Sequence, residues 1–266
     1  MDSTVSERVN IALGSGEATP VARTLLRGLA MLETVAGSPG GIGVTEAAAA
    51  TGIDKGTASR LLGALRDIGY AHQRAQDRKY VLGSRCLWLA RAYQGAHGGL
   101  TDCARPFLSE LMAVTNETVH LAIREGLYMV FVYQDEPNRS VRAHTAIGAP
   151  LLMHTTAMGR AIMARMGDRE RESLLDEILE FSRSEGSEID IDRLRADVRE
   201  AQRKGWAGVD QHDDVMRVAA AITERDGEPI AAITVSGPSY RVDAVVDEIA
   251  KQCTESARAV SAALYG

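Results

Sequence analysis

The sequence predicts an α+β protein in two parts, and three observations carry that prediction. A helical period with a glycine break runs from 45 to 68 and gives way to a short alternating hairpin. From 100 onward, strands, helices, strands and a closing helix follow one another, and the sign of the charge changes between the two stretches. At 266 residues, with 45% hydrophobic and 25% charged side chains, the chain is long enough for two compact domains of ordinary globular composition. Residues 1–95 hold 11 Lys and Arg against 8 Asp and Glu, net +3, while the remainder holds 19 against 28, net -9. The overall charge of -6 therefore conceals a basic front, and only that front suits a polyanion.

The first 19 residues are acidic and polar around a brief apolar run, Val9 to Leu13 with Asn10 inside it, and are expected to form a flexible tail. They lack the basic start and long apolar core of an export signal, and no later segment has the length of a membrane span. A cytoplasmic protein with no membrane partner is expected. From Pro20 the run VARTLLRGLAMLETVAG reads as a helix with Pro20 in its first turn and Leu25, Leu29, Leu32 and Ala36 on one stripe, ending at Gly37. The following SPGGIGV lacks the preceding strand and the G-K-[ST] ending of a phosphate loop, so a flexible turn is expected.

Thr45 is placed to cap a short alanine-rich helix that Thr51-Gly52 breaks, and Asp54 to cap a second one. In that second helix Ala58, Leu61, Leu62, Leu65 and Ile68 fall on one face, which predicts that they are buried. Gly56, Ser59, Arg60, Gly63 and Asp67 fall opposite, flanked by Lys55 and Thr57. Two glycines on an exposed helix face cost about 1 kcal/mol each against alanine, so the surface is one that something approaches closely. A helical hairpin in an ordinary core would share the apolar face; a helix-turn-helix, whose second helix enters the major groove, explains the other side as well. After Gly69-Tyr70 the strands Tyr70-Ala71-His72 and Tyr80-Val81-Leu82 flank a polar turn carrying Arg74, Arg78 and Lys79. A basic turn alone is often only a solvated loop. Beside a candidate recognition helix it is placed like the wing of a winged helix-turn-helix, lying on phosphate.

Ser84 to Gln94 reads as an amphipathic linker helix with Cys86, Leu89, Ala90 and Tyr93 on one side, ending in GAHGG. Its apolar face either packs on its own domain or pairs with itself across a two-fold axis. The expected organisation is a tail over 1–19, a winged helix-turn-helix over 20–83, a linker helix over 84–99 and a ligand-sensing domain over 100–266. In the last, TDCARPFLSELMAVT is helical, and Thr118 to Arg124 alternates as a half-buried strand. Leu127 to Tyr133 is a candidate central strand and Val141 to Ala146 a third, followed by helices near 156–166, 168–182 and 190–204. Val218 to Thr223 and Ile230 to Ser236 form a hairpin around Asp226-Gly227, and a helix from about 242 to 264 closes a sheet covered on one face.

Where PLLMHTTAMGRA joins strand to helix, Thr155 as N-cap would aim the Ala157 and Met158 N–H groups at an anion such as a carboxylate. Thr234 and Ser236 project from one side of a strand, inward toward a ligand or outward as ordinary edge residues, and Asp210 and His212 offer a polar rim. Catalysis finds little support: there is no G-x-S-x-G, Walker A, H-E-x-x-H or Rossmann glycine pattern. Cys103 with His120 or His154 is the one conceivable thiol arrangement, which leaves an enzyme of small organic acids with an N-terminal interaction module as the alternative class. Cys86, Cys103 and Cys253 are widely spaced and the histidines make no H-x-x-x-H pair, so neither a metal nor another cofactor is expected.

The order and spacing of TEAAAATGIDKGTASRLLGALRDIGY, RKYVLGSR, ETVHLAI, LLMHTTAMGRAI, RKGWAGVDQH and AAITVSGPS resemble the isocitrate lyase regulator (IclR) family of bacterial transcription factors, from about Thr19 to Gly266. The resemblance implies a winged helix-turn-helix, a linker helix and a GAF-like effector domain that binds a small organic or aromatic acid. It further implies dimers or dimers of dimers on palindromic double-stranded operators, most simply as a repressor of a catabolic operon. Carried over residue by residue, it puts Ala157 and Met158 at the pocket's helix start and Thr234 and Ser236 on its hydroxyl strand. Many members have a cysteine after Gly-Val-Arg; here Val218 follows Arg217, in a stretch one residue short, which implies a less polar pocket with Val218 on its wall. On the DNA side the candidates are Lys55, Gly56, Thr57, Ser59 and Arg60 for the groove, with Arg74, Arg78 and Lys79 for phosphate.

Overall fold

The computed structural model describes residues 19–210 and 213–265, so the expected tail, apart from Thr19, lies outside the described residues. The chain divides into two compact units, Met1–Gly98 and Gly99–Gly266.

In the first unit, α1 (Pro20–Ala36) starts where the Thr19 hydroxyl accepts the Ala22 N–H at 3.3 Å, leaving Pro20 at a position that needs no donor. Its buried side is Ala30, Met31 and Val35, while Leu25 is 63% and Leu29 44% exposed and Ala36 is also outside. The expected stripe is thus corrected: α2 (Val44–Thr51) and α3 (Lys55–Asp67) close on the Met31 and Val35 side instead. Thr45 is not the cap of α2. Gly43 holds that position, its N–H donating to the Glu46 carboxylate at 2.9 Å, and Gly52 at φ 65° ends the helix. Asp54 does cap α3, accepting from the Thr57 N–H at 2.9 Å. Ala58 and Leu62 are buried with Leu61 and Leu65 packed alongside, but Ile68, at the C-cap where the helical period ends, is 55% exposed.

The hairpin pairs β1 (Ala71–Gln73) with β2 (Tyr80–Leu82). Ile42 bridges to Tyr80 through two backbone bonds of 2.9 and 2.8 Å, so the glycine-rich segment is a third strand position rather than a loose turn. Gly41 sits there at φ 83°, where a Cβ would meet the Arg74 guanidinium at 2.9 Å. Beyond it, α4 (Ser84–Thr115) continues through GAHGG without a break, which merges the linker helix with the helix after it. Glycine inside a helix costs about 1 kcal/mol but leaves the hydrogen-bond ladder intact, so a glycine cluster alone does not end one.

The second unit is built on a six-stranded antiparallel sheet of β3 (Thr118–Glu125), β4 (Tyr128–Asp135), β5 (Pro150–Leu152), β6 (Ala207–Asp210), β7 (Val215–Thr223) and β8 (Pro229–Pro238). The spatial order is β5-β4-β3-β8-β7-β6, which puts β3 and β8 at the centre. The stretch 141–146 is not a strand; β5 takes that place, and β6 pairs with β7 where no strand was expected. On one face lie α5 (Ala157–Met163), α6 (Asp168–Ser184) and α7 (Ile191–Lys204), over Ala122, Ala219 and Ala232. On the other, α4 and the closing α9 (Val246–Tyr265), reached through the short α8 (Ser239–Val242), cover Leu121, Val218, Ala220, Ile233 and Val235. Both faces are therefore covered, not one. The reason is legible in β8, where Ala231 to Ser236 are all buried: an uninterrupted apolar run marks a strand with no wet face.

Candidate functional site

Two surfaces collect the chemistry. The first is the start of α3. Its core side fixes the helix, and Lys55, Gly56, Ser59 and Arg60 are exposed on the side away from that core, with Thr57 half-buried. Arg60 Nη2 donates to the Thr57 hydroxyl at 3.0 Å, so the guanidinium is held along the helix surface. The hairpin separates the three basic candidates. Arg74 is committed inward, donating to Gly40 O at 2.5 Å and to the Asp77 carboxylate at 2.6 Å, and so braces the turn. Lys79 Nζ lies 4.0 Å from Glu46, a loose pair. Arg78, at φ 61° on the tip, is exposed and forms no side-chain ion pair among the described residues, so of the three its charge is the one left open to solvent.

The second surface is one half of the sheet face that carries α5. Register lines up Gln134, His120, Thr234 and Ala219 across β4, β3, β8 and β7, and Thr118, Ser236 and Arg217 in the neighbouring row. Away from this polar half, Ala122, Ala232 and Ala221 give the small surface on which a helix can sit close. The capping residue of α5 is Thr156, not Thr155: the Thr156 hydroxyl accepts from Gly159 N–H at 2.9 Å, while Thr155 closes the preceding 3-10 turn by donating to Leu152 O. Ala157 and Met158 are buried at the start of that helix, in the same cluster as Ala219 and Ala232.

Thr234 and Ser236 face inward and are buried, and Thr234 donates its hydroxyl proton to Val218 O at 3.0 Å. Val218 itself contributes only that carbonyl. The period of two in β7 sends its side chain to the opposite core with Leu121 and Cys253, while Arg217 and Ala219 occupy the α5 side, so the structure removes Val218 from the pocket wall. Asp210 ends the edge strand, exposed, in register with Met216, whose side chain packs on the α9 face; the structure does not bring it to the hydroxyl pair. His212 lies outside the described residues.

The sequence offers His120 only as a distant partner for Cys103, not as part of the sheet face beside Thr234. The alternation of Val119, Leu121 and Ile123 already puts His120 on the other side with Ala122, and that was the signal. His120 is 1% exposed, packs against Phe131 with ring centroids 4.8 Å apart, and neither of its ring nitrogens has a hydrogen-bond partner. Burial drives its pKa down to about 4, reinforced by the nearby His144 and Arg217 and opposed by Glu136 and, more weakly, by the approach of the Gln134 side chain. Above this row the segment after β4 is tied down: Thr118 donates to Ala143 O at 2.7 Å, and Glu136 binds Arg142 and His144, each at 2.6 Å. The buried Glu117 accepts two bonds from Arg241, which also holds Val141 O at 3.0 Å. Among the described residues no cluster of His, Cys, Asp and Glu could hold a metal ion, and no helix is long and apolar enough to cross a membrane.

The family model for the bacterial transcriptional regulator IclR C-terminal domain matches residues 96–262, and that for the IclR helix-turn-helix domain matches 24–75. The chain is similar to the transcriptional repressor IclR of Escherichia coli (strain K12), 26% identical over 260 residues covering 96% of this chain and 94% of that protein. It is 30% identical to the HTH-type transcriptional regulator BhcR of Paracoccus denitrificans over 242 residues, 90% of this chain and 86% of that one. Among solved structures, Thermotoga maritima IclR superposes with TM-score 0.72 at 22% identity, covering 91% of this chain and 98% of that chain. An IclR homologue of Microbacterium hydrocarbonoxydans in complex with 4-hydroxybenzoate gives TM-score 0.72 at 21% identity, with 91% and 98% covered.

Proposed function

The chain belongs to the IclR family of bacterial transcriptional regulators, and on that premise we propose that it is a ligand-responsive repressor of a catabolic operon, working as a dimer or a dimer of dimers. Its relatives are repressors and regulators, so the enzyme alternative is set aside. The observation that carries the reading is the exposed Lys55, Gly56, Ser59, Arg60 edge on a capped α3 whose other side is core. Small residues let the helix seat in the major groove, and an arginine in its second turn can read a guanine edge. The basic first unit favours the duplex, and the acidic second unit leaves contact to the first.

The effector is a small organic or aromatic acid on the polar half of the sheet face, beside Thr234 and Ser236 and the start of α5. The 4-hydroxybenzoate complex of the Microbacterium homologue supports that class of ligand. Occupancy shifts DNA affinity through a coupling of about 1–3 kcal/mol, roughly 5- to 150-fold. Anisotropy titration on the intergenic DNA beside its gene and on random DNA tests the DNA reading. Arg60→Ala should lose about 1–3 kcal/mol on the specific site only, whereas Arg78→Ala should weaken both and lower the salt slope by about 1. Equal losses on both DNAs for Arg60→Ala would remove its base-reading role.

A further inference from the structure

We propose that His120 selects the effector by hydrogen-bonding an un-ionised hydroxyl of a hydroxylated organic acid, an inference that rests on the effector reading of the same sheet face. Its imidazole is sealed from solvent and its two nitrogens are unbonded. The groups that could satisfy it are spoken for. Thr234 gives its proton to Val218 O and Thr118 gives its own to Ala143 O. Gln134 approaches the ring closely enough to perturb it, but its amide nitrogen is engaged by Glu136 and by His144 at 3.1 Å, and it makes no hydrogen bond to the imidazole. Phe131 offers only the side of a ring. Packed on Phe131, a phenyl group would fill the same space without leaving ring nitrogens unpaired, so the imidazole's donor and acceptor serve a group the chain itself does not supply.

The chemistry of that group follows from the ring. Burial keeps the imidazole neutral, with one nitrogen a donor and the other an acceptor. A hydroxyl both donates and accepts, and so pairs with whichever nitrogen faces it. A carboxylate only accepts, so it can meet the ring's N–H but never its lone pair, and the neighbouring Arg217 and His144 disfavour the imidazolium that would present two donors to it. The acid's own carboxylate is left to the hydroxyl-bearing row, where Ser236 lies in register with Thr118 and with Arg217, whose guanidinium is itself paired with Asp213 at 2.6 Å.

Calorimetric titration of the full chain tests this with matched pairs: benzoate against its 2-, 3- and 4-hydroxy forms, and propionate against lactate. In the wild type the hydroxylated member of at least one pair should bind 10-fold tighter or more than its partner. His120→Phe should bring that pair to within about 2-fold while still binding the plain acid, and the melting temperature of the ligand-free protein should stay level or rise. His120→Leu, smaller than the imidazole, is judged by the same criteria should the Phe variant fail to fold. Acids that bind without a hydroxyl preference, or a preference that survives in the variant, overturn the role of His120 and leave the acid reading standing. Failure of every acid to bind the wild type overturns both, and loss of the fold in both variants assigns the imidazole to structure and overturns the proposal.

Discussion

A buried neutral histidine ties stability to pH, and the sign follows from where the proton goes. The unfolded imidazole titrates near the ordinary 6.5, whereas in the fold it does so at about 4. Between those values the unfolded chain binds a proton that the folded chain refuses, so stability is lost as pH falls through the window and is complete above it. The loss reaches about 3 kcal/mol by pH 4. Urea denaturation of the second unit at pH 7, 6, 5 and 4.5 should show it, and His120→Phe should flatten the slope; a parallel slope in the variant would trace the effect to other groups. This residue also marks the limit of the sequence. Ser59 and Arg60 were legible because a helix's exposed face follows from its own period of 3.6. The exclusion of Val218 and the row joining Gln134, His120 and Thr234 depend on which strand lies beside which, and chain order does not state that.

Among the elements, α5 is the one whose seating decides the ligand face, and a single glycine permits it. A Cβ on Gly159 would overlap the Met153 carbonyl, where the 3-10 turn folds back against the helix. Neither partner is a side chain that can swing aside. Gly159→Ala should therefore cost the second unit about 3 kcal/mol, or roughly 6–12 °C in its melting transition, and abolish acid binding with it. Gly167→Ala, with nothing within 4 Å of the added methyl, is the control that should leave both unchanged. Elements with strong local signals were readable in advance: α3 from its cap and period, β7 and β8 from their Asp-Gly hairpin. Those that depend on tertiary context were not. β5 and β6 are strands of three and four residues that exist because a neighbour pairs with them, and α4 passes through glycines that looked like an ending.

For the molecule as a whole, the side chains that the first unit leaves uncovered bear on assembly. Val21, Leu25 and Leu29 are exposed along α1, and Leu87, Trp88 and Leu89 are exposed around the first half of α4, with Trp88 at 63%. A helix bearing exposed apolar groups on several sides, with no core among the described residues closed over them, gains from another surface that buries them, and a second copy offers a self-complementary one. Pairing would also serve the function, because two linked recognition helices on a palindrome bind with an avidity of about 100- to 10,000-fold over one. Trp88→Glu places a charge in that surface without touching α3 or the hairpin core. It should shift the sedimenting species from dimer toward monomer and weaken the specific site by about 100-fold, while binding to random DNA changes by less than about 3-fold. A wild type that sediments as a monomer at micromolar concentration, or a variant that keeps both its mass and its operator affinity, would mean that these side chains serve something other than pairing and that each half-site is read alone.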